Sequence, residues 1–399
     1  VICAPGNAGI AQEAECLPVD VRSLASLTEL ATRLKPDLTV VGPELPLELG
    51  IVDEFERLGW RIFGPTRAAA RLESSKSFAK EFMQRYHVPT AKYATCTSPQ
   101  EIKGALAHFS TPLVVKADGL AAGKGVVIAQ TKDEAVSVAS EMLSGKMLGK
   151  AGSRVVIEEF LSGDELSFLV MSDGERVAPL VGAQDHKRAL DNDRGPNTGG
   201  MGAYSTNSII DPPMRDWLLQ HIARPIIRGM KEEGTPYRGI LYCGLMMTAR
   251  GPQVLEFNCR FGDPETQPIM MRMESDLCDA LEASIEGRVS DGDFKWSPEA
   301  SVCVVMASGG YPGSFEQGKR IEGIAEADRI PGVKVFHAGT ARNGDDLVTS
   351  GGRVLGVTSR GADLDAALKR AYEGVEKIRF EGAHYRRDIA AKPLVFTSK

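Results

Sequence analysis

Short apolar runs alternate with longer amphipathic stretches through the first part of the chain. Leu38-Thr39-Val40-Val41 stops at Gly42-Pro43-Glu44, and Trp60-Arg61-Ile62-Phe63 stops at Gly64-Pro65. Between them, residues 51–58 repeat apolar positions at helical spacing. Strands alternating with helices predict a parallel α/β sheet whose ligands lie beyond the carboxyl ends of the strands. Val1-Ile2-Cys3-Ala4 reads as the end of one more such strand, running into the turn Pro5-Gly6-Asn7. With no initiator methionine and no signal-like segment, the expectation is that the first elements of this domain lie outside the sequence. Residues 67–86 are predicted helical and lead into the next unit.

The texture changes from about residue 91. Leu113-Val114-Val115-Lys116 is predicted as a strand, residues 117–124 as a glycine-rich loop, and Gly125-Val126-Val127-Ile128 as the returning strand. A helix over 132–143 and a strand over 154–160, ending in Glu158-Glu159, complete a small α+β unit. Beyond it come a polar loop over 184–204, a long helix over 214–231, and a hairpin of 239–248 with 252–257, turned at Arg250-Gly251. A buried-type strand over 301–306 and a helix over 363–378 close the chain. The expected division is an N-terminal α/β domain over 1–75 lacking its first strand, a main unit formed by 76–92 and 166–297, a small unit over 93–165, and a mixed C-terminal domain over 298–399.

A length of 399 residues calls for more than one core. The 43% hydrophobic and 25% charged residues are the balance of a globular protein. A net charge of −6 excludes a general nucleic-acid surface but leaves room for a small phosphorylated ligand, which needs only a few local donors. No apolar run reaches the ~20 residues of a membrane span. Seven scattered cysteines with no paired spacing read as reduced thiols, so the cytoplasm is the expected location.

Four segments carry candidate chemistry. The loop Lys116-Ala-Asp-Gly-Leu-Ala-Ala-Gly-Lys124-Gly125 joins two strands rather than a strand and a helix, which separates it from both common helix-opening nucleotide motifs. It either folds over a triphosphate with Lys116 and Lys124 neutralising charge, or is a flexible surface hairpin. In Val254-Leu255-Glu256-Phe257-Asn258, alternation puts Glu256 and Asn258 on one face. Their oxygens suit Mg²⁺, and an ion pair of Glu256 with a nearby cation is the equal alternative. The apolar strand ending in Glu158-Glu159-Phe160-Leu161, with Glu165 beyond, can offer backbone groups to an adenine edge or be a solvated strand end. The glycine-dense stretch from Gly195 to Gly202, together with Asp185-His186-Lys187-Arg188, suggests backbone lying close to a ligand. His186 reads as either a catalytic base or a hydrogen-bonding loop residue.

In this order the segments resemble the ATP-grasp superfamily and, within it, the phosphoribosylamine–glycine ligase family. The resemblance rests on Ala4-Pro-Gly-Asn7, Val41-Gly-Pro-Glu44, the 116–125 loop, Gln184-Asp-His-Lys-Arg188, Gly195-Pro-Asn-Thr-Gly-Gly-Met-Gly-Ala-Tyr204 and Glu256-Phe-Asn-Cys-Arg-Phe-Gly-Asp-Pro-Glu-Thr-Gln-Pro268. It implies an enzyme that joins glycine to 5-phosphoribosylamine with ATP and Mg²⁺ or Mn²⁺, either as a monomer or as part of a multifunctional purine enzyme. Residue by residue it implies nucleotide contacts from Lys76, Lys116, Gly123, Lys124, Gly125, Glu158, Phe160, Leu161 and Glu165, and metal ligation by Glu256 and Asn258. Arg260 would meet the glycine carboxylate or the transferred phosphoryl group, and Lys116 and Lys124 would assist the transfer. Asn7, Glu44, Asp185, Lys187, Asn197, Gly199, Gly200, Met201 and Asp263 would line the substrate pocket.

Members of that family also open with a strand and a Gly-Gly-Arg-Glu-His-type run that this sequence does not contain. Two further readings therefore stand beside the first. One is another ATP-grasp carboxylate–amine ligase, and the other is a silent ATP-binding homologue.

Overall fold

In the computed structural model the described residues are 1–121, 125–145 and 149–397. The N-terminal part holds two separate parallel strand pairs, Ile2–Cys3 with Glu15–Cys16 and Thr39–Val40 with Ile62–Phe63. Ile2 and Val40 are 44% and 48% exposed. Helices Leu24–Leu34, Glu44–Leu49 and Ile51–Arg57 lie around them. The connector predicted as one helix is broken. It runs Arg71–Ser74, then Lys76–Arg85, because Ser75 is extended and caps the second helix by accepting from the Phe78 amide.

The small unit is a four-stranded antiparallel sheet in the order Tyr93–Cys96, Val155–Glu159, Leu113–Ala117, Val126–Ala129. Its strands alternate. Leu113, Val115, Ala117, Val155 and Ile157 point toward helices Pro99–Leu106 and Lys132–Leu143 and form a core of their own. Lys116 and Glu158 therefore share the opposite face, toward the rest of the molecule.

The main sheet is also antiparallel, in the order Val177–Pro179, Asp164–Asp173, Arg238–Thr248, Gly251–Asn258. In its edge strand Gly244 faces Glu256 while Leu245 faces Val254, so Leu255 is an extra, bulged residue. Simple alternation through Val254–Asn258 is thus interrupted one residue before Glu256. The helix expected over 214–231 is continuous in direction but made of three pieces, Pro212–Leu218, a π turn Leu219–Ala223, and Arg224–Glu232. Pro225 has no amide hydrogen to give the ladder, and the wider turn precedes it.

The polar stretch 184–204 is largely built of short strands rather than loop. Arg188–Leu190 and Arg194–Asn197 form a hairpin. Gln184–Asp185 and Gly202–Ser205 join Ala300–Ala307, Arg353–Gly361 and Val333–His337 in a five-stranded antiparallel sheet covered by helix Leu364–Lys377. One continuous core runs from the N-terminal helices through the main sheet into this C-terminal sheet. Among the described residues, no helix is long and apolar enough to cross a membrane.

Candidate active site

The side chains with unusual surroundings gather where the small sheet faces the edge of the main sheet. Lys116 is 5% exposed. Its Nζ lies 3.1 Å from Glu158 Oε2 and donates, also at 3.1 Å, to the carbonyl of the bulged Leu255. The bulge aims that carbonyl away from the ladder, so one lysine links the small unit to the strand that carries Glu256. Glu158 is 2% exposed, and its Oε2 takes a second cation, Lys80 Nζ at 3.0 Å. Its Oε1 is buried without a hydrogen-bond partner among the described residues.

Lys76 opens the helix that Ser75 caps, and its Nζ donates to the Gly119 carbonyl at 3.4 Å. The start of the glycine-rich loop is pinned to the same point, since Asp118 Oδ1 accepts from the Ser77 amide at 2.7 Å. Burial lowers the pKa of Lys76, with Glu256 opposing the shift. Gly125 is buried at the loop's far end, its carbonyl accepting from the Ala117 amide. Gly123 and Lys124 lie outside the described residues.

Burial works against a charge on Glu256, but Lys187, Lys116, Lys76 and Arg260 outweigh it and hold the carboxyl below its ordinary range. Asn258 satisfies its neighbours when its amide nitrogen donates to Glu73 Oε1 at 3.0 Å and to the Phe257 carbonyl at 3.3 Å, which turns the amide oxygen to the other side. Burial pushes the Glu73 carboxyl up to about 7 against the pull of Arg260. Arg260 lies between Glu44 (3.4 Å) and Glu73 (3.5 Å). Lys187 Nζ is 2.7 Å from Glu165 Oε2 and 3.8 Å from Glu256 Oε1. Burial opposes its charge, but Glu165, Tyr242, Glu256 and Asp185 raise its pKa well above the ordinary lysine value.

Beside Lys187, Asp185 has a buried Oδ1 without a partner among the described residues, and burial together with Glu265 raises its pKa. Glu265, 2% exposed, accepts from Ser167 at 2.8 Å and Tyr242 at 2.9 Å. Arg353, on the C-terminal sheet, donates to the Gly199 carbonyl (2.7 Å), the Asp263 carbonyl (3.0 Å) and Asp263 Oδ2 (2.7 Å). It fastens two glycine-rich loops together. Gly200, at φ +112°, lies so close to Pro264 that an added Cβ would collide with the proline ring. Exposed Phe160 lines a cavity of about 540 Å³ with Val126, Val127, Ile128, Arg188 and Asn197, and Leu161 is buried behind it.

Several expectations change here. Met201 is wholly buried, its amide donating to the His186 carbonyl and its carbonyl accepting from the Val305 amide, so its side chain packs in the core. Asn7 commits its amide within the fold. Its Nδ2 donates to the His337 and Ala338 carbonyls, its Oδ1 accepts from the Gly9 and Ile10 amides, and none of these bonds reaches the Glu256 cluster. His186 is not placed as a base. Its Nε2 accepts from the Ala390 amide, and burial followed by Arg386 lowers its pKa to about 4. Asn197 lines the same cavity as Phe160 and Arg188. Glu73, Lys80, Glu265 and Arg353 were missed by the sequence reading. Only Lys80 had a local signal, one helical turn beyond Lys76 on the same face.

A small antiparallel sheet and a larger one, with lysines buried in the cleft between them, define the ATP-grasp class. The chain belongs to the phosphoribosylglycinamide synthetase family: models of its N domain, ATP-grasp (A) domain and C domain match residues 1–73, 74–266 and 301–392. It is 50% identical to the phosphoribosylamine–glycine ligases of Vibrio vulnificus and Pseudomonas aeruginosa over 400 residues, 99% of this chain and 92% of each relative. The crystal structure of phosphoribosylamine–glycine ligase from Thermotoga maritima superposes with a TM-score of 0.86 at 36% identity, covering 98% of this chain and 94% of that one. The biotin carboxylase domain of Hydrogenobacter thermophilus 2-oxoglutarate carboxylase shares the fold alone, with a TM-score of 0.74 at 17% identity, covering 96% and 86%.

Proposed function

We propose that this chain joins glycine to 5-phosphoribosylamine, splitting ATP to ADP and phosphate, as a step of purine synthesis in the cytoplasm. The observation that supports this most directly is Lys116, buried between Glu158 of the small unit and the carbonyl beside Glu256 of the main sheet. A cation in that position meets phosphates held across the seam. Lys76, Lys116 and Gly125, with Gly123 and Lys124 of the loop, are the phosphate contacts in this reading. Glu158, Phe160 and Leu161 hold the adenine and Glu165 the ribose.

The residues fit a divalent ion of the Mg²⁺ or Mn²⁺ kind. The Glu256 carboxyl is held below its ordinary range, and Asn258, two residues on, brings an amide oxygen. Among the described residues no three His, Cys, Asp or Glu side chains form a closed metal cage, which suits an ion that takes one or two protein oxygens and completes its shell with phosphates. Such an ion disperses charge on the phosphoryl group in transfer.

A carboxylate is a poor electrophile, so glycine is activated as glycyl phosphate before the amine attacks. Arg260 holds the glycine carboxylate or the transferring group, and Lys116 and Lys124 offset its charge. Glu44, Asp185, Lys187, Asn197, Gly199, Gly200 and Asp263 line the substrate side. The small unit, which has a core of its own, closes as a lid that keeps water from the acyl phosphate. No side-chain nucleophile is required.

ADP release measured with each substrate withheld in turn tests the reading. Turnover that needs both glycine and phosphoribosylamine supports it. Turnover with another acid and amine replaces it with a different ligase, and ATP binding without turnover replaces it with a silent homologue.

A further inference from the structure

Lys80 has no part in that scheme, yet it is among the most buried side chains in the molecule, 2% exposed. It stands one turn beyond Lys76 on helix Lys76–Arg85 and reaches inward. Its Nζ lies 3.0 Å from Glu158 Oε2 and donates to Thr90 Oγ1 at 2.7 Å. Thr90 in turn donates to the Val254 carbonyl at 2.7 Å, at the foot of the bulged edge strand. Desolvating an ammonium group is costly, and Lys116 already supplies Glu158 with a counter-charge. A second cation on the same carboxylate oxygen neutralises nothing further. What it does is fix orientation, because Oε2 is held by two donors from different elements while Oε1 is left buried with no donor among the described residues. A buried carboxylate oxygen without a partner is expensive unless a ligand supplies one.

We propose that Lys80 is a positioning residue for nucleobase selection: it locks Glu158 so that Oε1 accepts from the exocyclic amino group of a bound purine. This rests on the adenine reading of the Glu158–Leu161 segment. A 6-amino purine donates to such an acceptor. A 6-oxo purine presents a second oxygen and is repelled, so ATP is preferred over ITP through the base alone. Without Lys80 the carboxylate keeps Lys116 but loses its second anchor. It can then turn away from the base, and the preference shrinks. Burial lowers the Lys80 pKa to about 8, with Glu158 opposing the shift, so the anchor is charged at neutral pH.

The test compares kcat and KM for ATP and ITP in the full chain as wild type, Lys80→Met and Thr90→Val. Thr90→Val is the milder variant, and it carries the test if Lys80→Met fails to fold. The expected result is a wild-type preference for ATP that falls about tenfold in kcat/KM ratio in Lys80→Met, mostly through KM. A smaller fall in the same direction is expected for Thr90→Val. A wild type that does not distinguish the two nucleotides overturns the proposal. So does a variant that loses activity equally with both, which is the signature of a merely structural lysine. If the wild type shows no ligase turnover, that failure belongs to the proposed activity. Calorimetric titration with ADP and IDP then applies the same comparison to binding, and an unchanged ADP:IDP affinity ratio in both variants overturns the role of Lys80.

Discussion

In the proposed reaction Glu256 is the residue on which the chemistry of the cleft turns. Four cations surround it, yet its closest ion pair, to Lys187, is 3.8 Å long, so its oxygens are not used up by the fold. Glu256→Ala is expected to lower metal-dependent turnover by at least about a hundredfold, with the fold retained. Steady-state rates over a magnesium titration, read beside a circular dichroism spectrum, check this, and full activity in the variant removes Glu256 from the metal site. The sequence made the oxygens of Glu256 and Asn258 visible through their spacing. It did not reveal Glu73 or Arg353. A carboxyl at the end of a short helix and an arginine more than 150 positions from Gly199 become neighbours only through tertiary packing.

At the scale of elements, what could be read locally was read well. The hairpin turned at Arg250-Gly251, helix Lys132–Leu143 and helix Leu364–Lys377 follow from turn chemistry, apolar period and capping residues. The break at Ser75, the bulge at Leu255 and the π turn before Pro225 leave fainter marks, because each is one residue out of step within an otherwise regular pattern. Ser75→Ala removes the cap of helix Lys76–Arg85 and one contact to Asp118, at 3.2 Å, that anchors the loop. A loss of ~1 kcal/mol in urea unfolding is expected, with a higher KM for ATP. Gly200→Ala introduces a Cβ at positive φ against Pro264 and should cost about 1–3 kcal/mol, seen as a lower thermal midpoint. An unchanged midpoint would show that the two loops move apart freely.

Across the whole molecule, long-range strand partnership was the illegible part. The stretch 184–204 reads as a polar loop because its strands are two to four residues long. Most of them pair within the stretch, and the partner that ties it into a larger sheet, Ala300–Ala307 beside Gly202–Ser205, lies about a hundred positions downstream. This joining of middle and end also sets a pH dependence. His186 bonds the Ala390 amide and is held neutral by burial, with its pKa lowered from about 6.5 to about 4. A depressed pKa contributes stability that is complete above pH ~6.5 and is lost as pH falls through ~4, with a slope of at most ~1.4 kcal/mol per pH unit. Chemical unfolding between pH 7 and 4 should therefore weaken toward acid, and His186→Gln should flatten that trend over this window. An identical slope in the variant would assign the acid sensitivity to other groups.

The bulge at Leu255 has a consequence for how the protein tolerates change. Lys116 grips a main-chain oxygen there, and every amino acid supplies that oxygen. The latch between the two units is therefore blind to the identity of residue 255, while it depends wholly on residue 116. Selection from a saturation library should return many side chains at 255 and almost none but lysine at 116. A position next to Glu256 can thus drift in sequence without loosening the clasp.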